Sequence, residues 1–374
     1  MIESPGLLVT ILAFALVIGP LVFFHELGHY LAARAFGIHA DAFSIGFGRE
    51  VAGWTDRRGT RWKLAWLPLG GYVRFAGDMN PASQPTAAWL ALPAEERART
   101  FQAKPMWQRF IVVAAGPLTN FLLAILIFAA FFWAFGAPRT PPVAQLVMAG
   151  SAAEAAGIRP GDRIAGIDGE HIDRFEDIAR IVSIRPDETL RFAIVRDGAD
   201  VALVVTPRRI VQADRFGNRY DIGRIGIAPG EQVIERLGAA GIVTESVRHT
   251  RDIVVMMVDT LVQVVTGRRS VSELGGPAKI AQFAGQQMTI GWLPFAEFVA
   301  MISINLGFIN LLPIPLLDGG HLFFYLIEGI RRRPLGPKTQ EWAFRVGIAI
   351  LLPFIVFVTF NDFGLWQRLA GLIG

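Results

Sequence analysis

Four long stretches without a charged side chain constrain this sequence more than any other feature. About 20 apolar residues are enough to cross the hydrocarbon core of a bilayer, so we interpret each stretch as a membrane span. The stretches cover Ser4–Phe24, Ile111–Pro138, Phe298–Leu317 and Val346–Asn361. Composition agrees, because 52% of the residues are hydrophobic and only 18% are charged, whereas about a quarter are charged in soluble domains. An ordinary cytosolic enzyme and a disordered chain are therefore excluded.

The distribution of Lys and Arg predicts how these spans are oriented. Eleven of these residues lie between Ala32 and Phe110, and Arg331–Arg333 with Lys338 form a second basic cluster, whereas both ends of the chain have few. Lys and Arg favour the cytoplasmic side of a membrane. We therefore expect a multi-pass protein of the bacterial inner membrane, with both termini and residues 139–295 in the periplasm. The net charge of +4 then reflects membrane orientation and does not indicate a nucleic-acid partner.

Between the second and third spans the pattern changes to that of a water-facing α+β domain. Short alternating segments such as Arg191–Val195 and Val201–Val205 flank Asp197-Gly198, a turn signal typical of a β-hairpin. The segment Ser151–Ile164 resembles the signature of bacterial PDZ domains, which bind extended peptides by adding a strand. We expect one PDZ-like domain here, and a steric plug or spacer without a ligand is the alternative.

The pentapeptide His25-Glu26-Leu27-Gly28-His29 predicts the chemistry. Two His residues four apart lie on one face of a helix. With the adjacent Glu they form the H-E-x-x-H pattern of zinc hydrolases, in which the His bind the ion and the Glu is the general base. The pattern ends a predicted span, where ionisable groups are costly and usually functional. Side chains that merely reach from a helix end to the membrane surface are the alternative.

A hydrolytic zinc site needs a third protein ligand and an open position, and Cys is absent from the sequence. Asp318 is our first candidate, because it ends the third span within Asn310–His321, a segment with two Pro and two Gly. Broken helices inside a membrane line protein or water-filled cavities, and the predicted topology brings Asp318 to a depth similar to that of His29. His321 is the rival ligand, ranked as a supporting group. Asn120 in the second span is a candidate oxyanion donor or supporting group.

Two further segments are predicted to lie next to the membrane. Residues 49–55 and 60–67 flank the polar turn Asp56–Gly59 and predict a β-hairpin on the cytoplasmic side. Its open edge can pair with an unwound substrate segment, which would expose peptide bonds that a helix hides. Alternatively, the hairpin only seals the inner face. Between Glu231 and Trp292 the sequence predicts amphipathic helices on the outer surface.

Several segments resemble the bacterial site-2 protease family, in particular its regulator-of-sigma-E-protease type, over nearly the whole chain. The similar segments are HELGHY at His25–Tyr30, FSIGFG at Phe43–Gly48, LPLGGYV at Leu67–Val73, GPLTNF at Gly116–Phe121, Gly276-Pro277, Asn310–His321 and Asn361–Phe363. The resemblance implies zinc bound by His25, His29 and Asp318, a catalytic base at Glu26, and a substrate-holding role for Asn310. Proteins of this type often carry two tandem PDZ domains, and this sequence shows one.

The residues and the resemblance together predict an intramembrane zinc metalloprotease. The resemblance implies that its substrates are transmembrane segments of single-pass proteins, such as an anti-sigma factor first cut by an upstream site-1 protease, and leftover signal peptides. A protease that mainly clears signal peptides, a PDZ-bearing membrane scaffold and a zinc transporter are the alternatives.

The predicted fold is a polytopic α-helical membrane protein with four transmembrane helices, a membrane-associated β-hairpin and one periplasmic α+β PDZ-like domain. The predicted domains are 1–36 (first transmembrane helix with the H-E-x-x-H pattern), 37–110 (cytoplasmic-side loop with the hairpin), 111–138 (second helix), 139–230 (PDZ-like domain), 231–295 (periplasmic amphipathic helices), 296–330 (third helix with the Asp ligand) and 331–374 (fourth helix and tail).

Overall fold

The structure is a computed structural model that describes residues 5–77, 89, 91–213, 219–266, 275–333 and 335–362. Helices in these residues are α1 (Leu7–Ala35), α2 (Ala94–Ala98), α3 (Met106–Phe135), α4 (Ala152–Ala155), α5 (Phe175–Ser183), α6 (Ala239–Val265), α7 (Pro277–Ile290), α8 (Trp292–Leu311), α9 (Asp318–Arg331) and α10 (Pro337–Asp362). The predicted start of the first span at Ser4, Phe363 of the last similar segment and the tail lie outside the described residues.

Strands complete the secondary structure of the described residues. They are β1 (Ala40–Thr55), β2 (Arg61–Phe75), β3 (Ala137–Arg139), β4 (Leu146–Val147), β5 (Arg163–Ile167), β6 (Glu170–His171), β7 (Leu190–Arg196), β8 (Ala199–Val205), β9 (Arg208–Ala213), β10 (Arg219–Arg224), β11 (Ile227–Ala228) and β12 (Val233–Glu235). The chain separates into two compact units, one of which contains residues 129–245 and the end of α6, while the other contains the remaining elements. We call the unit with residues 129–245 the outer unit, after its predicted location, and the other the metal unit, after the predicted zinc ligands.

Four helices among the described residues are long and apolar enough to cross a membrane, as predicted. They are Leu7–Ala35, Met106–Phe135, Trp292–Leu311 and Lys338–Phe360. The first helix is longer than the apolar stretch that predicted it, because the H-E-x-x-H residues continue it without a break to Ala35. The motif therefore lies inside a rigid helix and not at its end. Ala13, Val17 and Leu21 of α1 and Ala284 of α7 are buried in one apolar cluster of the metal unit.

The third predicted span differs from the observed helix in a way that matters for the site. The sequence predicted one span over Phe298–Leu317, but α8 ends at Leu311 and Asp318 opens a separate helix, α9. Pro313 and Pro315 explain the break, since proline cannot donate to the helix and forces the preceding residue out of the helical region. Leu312, which precedes Pro313, is accordingly extended (φ −62°, ψ 142°).

Strands β1 and β2 form an antiparallel hairpin with an unusual pairing. Residues 42–45 of β1 lie opposite two parts of β2, 61–64 and 71–74, while 61–65 also lie opposite the far part of β1, 50–55. Across the sheet, the order of neighbouring segments is therefore 50–55, 61–64, 42–45 and 71–74. At the turn, the Asp56 Oδ1 atom accepts the backbone N–H groups of Arg58 (2.8 Å) and Thr60 (3.0 Å). The open edges of this sheet belong to its outermost segments, and 71–74 is one of them.

The outer unit contains a small α+β domain. Its four-stranded sheet has the order β6-β5-β7-β8, and two-stranded ladders join β4 to β11 and β9 to β10. Apolar residues of the sheet and of α5, including Ile164, Phe192 and Ile178, form its buried core. The predicted hairpin turn is present: Asp197 and Gly198 have φ values of 50° and 82°, which the tight turns of hairpins require. Pro138, predicted as the last residue of the second span, instead lies in β3 and pairs with β12, because the helix ends at Phe135.

Candidate metal centre

Helices α1 and α9 bring three potential ligand atoms to one point in the metal unit. His25 Nε2 and His29 Nε2, one turn apart on α1, lie 3.3 Å from each other. The Asp318 Oδ2 atom, at the first residue of α9, lies 3.2 Å from the His25 nitrogen and 3.4 Å from that of His29. All three side chains are largely buried, with exposed fractions of 10%, 11% and 20%. In the described residues, this trio is the group of His and acidic side chains placed to hold a metal ion.

The outer nitrogen of His29 fixes which of its atoms can bind a cation. His29 Nδ1 lies 2.8 Å from the carbonyl oxygen of Val112 on α3. A carbonyl only accepts, so Nδ1 donates its hydrogen, and in the neutral ring Nε2 then holds a free lone pair. Pro117 lies in the same helix and has no N–H to donate to the carbonyl of Val113, the residue next to Val112. A backbone acceptor that orients a metal-binding His is a recurrent feature of zinc sites.

The donor set fits a zinc ion. In the neutral ring, the lone pair on His29 Nε2 faces the Asp318 carboxylate at 3.4 Å. A metal ion between these two acceptors would satisfy both of them. The Oδ2 atom of Asp318 is buried and has no hydrogen-bond partner. Tetrahedral zinc with ligand bonds of 2.0–2.1 Å places its ligands about 3.3 Å apart, and the three measured separations are 3.2, 3.3 and 3.4 Å. The three atoms thus have the spacing of one face of a zinc tetrahedron, which leaves a fourth position open.

Asn120 of α3 contacts the outer nitrogen of His25. Its Nδ2 atom lies 3.1 Å from His25 Nδ1, on the side of the ring away from Asp318. Asn120 is fully buried, and its Oδ1 atom has no hydrogen-bond partner. Ser303 of α8, also fully buried, donates its hydroxyl hydrogen to the backbone oxygen of Asn120 at 2.7 Å. Three helices thereby converge on one ligand of the predicted metal site.

Gly116 of α3 makes room for His29. A Cβ atom at position 116 would lie 2.2 Å from His29 Nε2 and 2.5 Å from its Cε1, distances that nonbonded atoms do not reach. The imidazole therefore lies flat against the backbone of α3. Because the close approach is to a ligand atom, even the smallest side chain at 116 would displace the ring that the sequence assigns to the metal.

The three ligand atoms open onto a cavity of about 380 Å³. Glu26, Asn310 and His321 line it, so all the residues predicted for the site except Asn120 border one space. Asn120 lies behind His25. The His321 imidazole lies edge-on to Phe324 and tilted against Phe344, with ring centroids 6.5 and 5.6 Å away, and it is not part of the converging trio. The roles of Glu26, Asn310 and His321 stay predictions, and their placement is compatible with them.

One edge of the hairpin borders the same cavity beside Glu26. Gly70, Gly71, Tyr72 and Val73 of β2 line the cavity. A Cβ atom at Gly71 would lie 3.1 Å from the Glu26 Cγ atom, so only glycine lets the strand approach α1 this closely. The Tyr72 hydroxyl accepts from Lys63 Nζ at 2.7 Å, a contact across the sheet. A strand edge and a candidate general base therefore share one wall of the cavity.

Sequence reasoning missed two groups that support the predicted ligands on the side away from the cavity, the Val112 carbonyl and Ser303. The Val112 acceptor is a backbone carbonyl, and every residue has one, so the residue type gives no sign of this contact. Ser303 had a detectable signal, because a polar residue inside an apolar span needs a partner, but its partner is a backbone oxygen 183 positions away. Tyr72 was recognised only as part of a similar segment.

Comparison with known proteins agrees with this geometry. The model of peptidase family M50 matches residues 13–354. A protein of Agrobacterium fabrum provisionally named a zinc metalloprotease is 45% identical over 358 residues, which cover 94% of this chain and 95% of its own. A similarly named protein of Rhizobium meliloti is 44% identical, covering 94% and 96%. Metalloprotease MmpA of Caulobacter vibrioides is 38% identical over 383 residues, covering 96% of both chains.

Similarity of this extent spans both units and all of the predicted site residues. The predicted class of enzyme, a metalloprotease, and its predicted cofactor, zinc, agree with the matched family and with the names of the relatives. The resemblance stated from the motifs is confirmed: this chain belongs to peptidase family M50, the site-2 protease family.

Proposed function

We propose that the chain is a zinc metalloendopeptidase that cuts transmembrane segments of single-pass proteins within the membrane. The observation that carries the proposal is the convergence of His25, His29 and Asp318 at 3.2–3.4 Å, with both His on a helix apolar enough to cross a membrane. A cleft that holds water and a metal among such helices is what peptide hydrolysis in a bilayer requires.

His25, His29 and Asp318 would hold the ion, and Glu26 would act as the general base. Bound there, zinc supplies a Lewis acid that polarises a carbonyl group and acidifies water. Glu26 lines the same cavity and is next to a ligand on α1. It accepts a proton from the attacking water and returns it to the leaving amine nitrogen, so it ends the cycle unchanged. His321 supports the site without binding the ion.

The substrate would bind as an extended strand along residues 71–74 of β2. In the part of the chain that the structure describes, these residues pair only with 42–45, and their segment lines the cavity. Pairing there would hold the substrate backbone extended beside Glu26. Asn310, on the cavity wall, would bind the same backbone. The hairpin lies at the membrane surface in this proposal, since it exposes Trp54 and Trp66 (62% and 66%), residues that favour the interface.

The orientation follows from the basic residues. The cytoplasmic side carries the hairpin and the Arg331–Arg333 cluster, and both termini lie in the periplasm of the bacterial inner membrane. Residues 139–230 form a periplasmic PDZ-like domain, and the mixed apolar and polar helices α6 and α7 follow it. The domain selects substrates and excludes those that still carry a bulky outer part. Its removal, as a deletion of residues 142–229, should leave hydrolysis intact and let uncut precursors be cleaved.

The natural substrate in this proposal is an anti-sigma factor-like protein that an upstream site-1 protease has already shortened. Remnant signal peptides are the second substrate class, and they fit the same mechanism because they are also single apolar helices. If signal peptides alone accumulate in cells that lack the activity, the clearing role is the main one. A PDZ-bearing scaffold would show no cleavage with zinc bound, and a zinc transporter would move zinc without cleaving peptides.

Glu26→Gln tests the proposed mechanism. The variant keeps all three ligands, so purified protein should contain as much zinc as the wild type. Cleavage of a single-pass membrane peptide should fall by about 10²- to 10⁴-fold, the usual contribution of a general base. Glu341→Gln is the matched control, because Glu341 is 59% exposed on α10 and pairs only with Arg345 in the recorded contacts. Substantial cleavage by zinc-loaded Glu26→Gln protein would remove Glu26 from its role.

A further inference from the structure

The side chain of Asn120 lies where its hydrogen bond can determine the tautomer of His25, a proposed metal ligand. It is fully buried between helices, and its amide meets His25 Nδ1 at 3.1 Å. The other ring nitrogen, Nε2, faces Asp318 at 3.2 Å. In a neutral imidazole one nitrogen carries the hydrogen and the other the lone pair. A hydrogen-bond donor at Nδ1 therefore leaves the hydrogen on Nε2, whereas an acceptor at Nδ1 leaves the lone pair on Nε2, where an ion can bind it.

The two faces of the amide have opposite consequences. If the Nδ2 group donates to Nδ1, the ring hydrogen must lie on Nε2, and His25 cannot bind a cation. If Oδ1 accepts from Nδ1–H, the Nε2 lone pair is free for the ion. Rotation of the amide by half a turn exchanges nitrogen and oxygen without a change of shape. The Oδ1 atom, buried and without a hydrogen-bond partner, is the acceptor that this rotation would bring to His25.

We infer that Asn120 is a positioning residue for His25. Its amide oxygen accepts the Nδ1–H hydrogen and holds the ring with Nε2 toward zinc, as the Val112 carbonyl does for His29 at 2.8 Å. Ser303 supports this arrangement, because its hydroxyl donates to the backbone oxygen of Asn120 at 2.7 Å and so anchors that residue. Each His ligand thus has its own acceptor on α3, one from the backbone and one from a side chain. This inference rests on the proposed metal ligands.

The positioning role differs in its consequences from that of an oxyanion donor. A donor must present its N–H group to the substrate, so Asn120→Asp would abolish donation and lower turnover while zinc stayed bound. A positioning residue needs an acceptor, which aspartate supplies better than asparagine. Asn120→Asp should then hold zinc at least as long as the wild type, while Asn120→Leu, similar in size but without an acceptor, should not.

The test measures zinc content and the half-time of zinc release to a chelator, using purified full-length protein. We expect release about 10- to 100-fold faster from Asn120→Leu, the usual effect of removing the partner of a metal-binding His, and no acceleration from Asn120→Asp. Thr119→Val is the matched control, because the Thr119 hydroxyl bonds only within its own helix in the recorded contacts, to Ala115 O at 2.7 Å. Asn120→Ala replaces the Leu variant if that variant does not fold.

Two results would overturn the inference. In one, Asn120→Leu releases zinc within twofold of the wild-type rate. In the other, Asn120→Asp releases it as fast as Asn120→Leu, which would mean that the acceptor is irrelevant. The visible spectrum of cobalt-substituted protein gives a second readout, since the ligand field should change in Asn120→Leu and be preserved in Asn120→Asp. Failure of the ligand assignment itself is separate: His25→Ala would then keep zinc as well as the wild type does.

Discussion

The buried acids of the outer unit and Asp318 of the metal unit meet different partners. In the outer unit, Asp162 pairs with Arg196 at 2.7 Å, and Glu245 pairs with Arg139 and Arg174 at 3.3 Å each. In the metal unit the Asp318 carboxylate faces two imidazole nitrogens, one of which is fixed as an acceptor by Val112. The first arrangement is electrically complete. The second would be completed by a cation, so the Asp162 pair serves stability while the Asp318 cluster is placed for chemistry.

Breaking the Asp162–Arg196 pair tests the first half of this comparison. The Asp162 side chain is 2% exposed and that of Arg196 is 20% exposed, so Asp162→Ala removes a buried carboxylate that Arg196 binds through two nitrogens. We expect the outer unit to lose stability, because the Asp162 carboxylate also accepts the Arg159 N–H group at 2.7 Å and both contacts disappear together. Hydrogen exchange of the β7 amides in the full chain measures the loss. Zinc retention should not change, and a simultaneous loss of zinc would contradict the separation of roles.

Asp168→Ala is the matched control for that variant. Asp168 pairs with Arg185 at 2.9 Å, but both side chains are more than a third exposed. Surface pairs contribute about 0–1 kcal/mol. The effect on exchange of the β7 amides should therefore be small, and an effect as large as that of Asp162→Ala would show that burial is not what distinguishes the two pairs.

The same pair predicts a pH dependence of the outer unit. Hydrogen bonds from the Arg196 guanidinium lower the pKa of Asp162 below its ordinary value of 3.8. A carboxyl whose folded pKa is lowered stabilises fully above its ordinary pKa, and the stabilisation is lost as the pH falls through the lowered folded value. Stability of the outer unit should thus fall below about pH 4, and Asp162→Ala should remove part of that acid dependence. An unchanged acid profile would argue against the pair as its source.

Gly116→Ala tests how closely the metal unit is fitted around its ligands. The added Cβ atom would lie 2.2 Å from His29 Nε2, so the ring must move out of the ligand triangle. We expect zinc to be held at least about 10-fold less tightly. Gly19→Ala on α1 is the control, because nothing lies within 4 Å of a Cβ atom there, and it should be neutral or slightly stabilising. Equal zinc affinity in both variants would contradict the close fit.

Asp362→Ala should weaken a single contact between two helices of the metal unit. Its side chain, at the end of α10, is fully buried and accepts backbone N–H groups at the start of α7, from Gly276 at 2.8 Å and from Ala278 and Lys279 at 3.1 Å. Loss of such a cap costs about 1 kcal/mol, to be measured by hydrogen exchange in the first turn of α7. Lys279→Met should cost less, since the Lys279 ammonium is 3.9 Å away.

Much of the metal unit could be predicted from the sequence because its signals are local. H-E-x-x-H predicts two ligands through helical periodicity alone, and the lack of Cys pointed to a carboxylate such as Asp318. The separate helix at Asp318 was not predicted, because charge-free residues continue to Leu317 and hide the effect of Pro313 and Pro315. The Glu245 contacts were also out of reach, since the arginines lie 106 and 71 positions away and charge alone does not select a partner.

The most direct test of the cation-requiring site is the zinc content of four single variants of the purified full chain. His25→Ala, His29→Ala and Asp318→Asn each remove one of the three converging atoms and should each lose most of the bound zinc. His321→Ala, which changes a residue three positions from Asp318 on the same helix, should keep it. The opposite pattern for the last two, with zinc lost from His321→Ala and kept by Asp318→Asn, would contradict the assignment of the ligands.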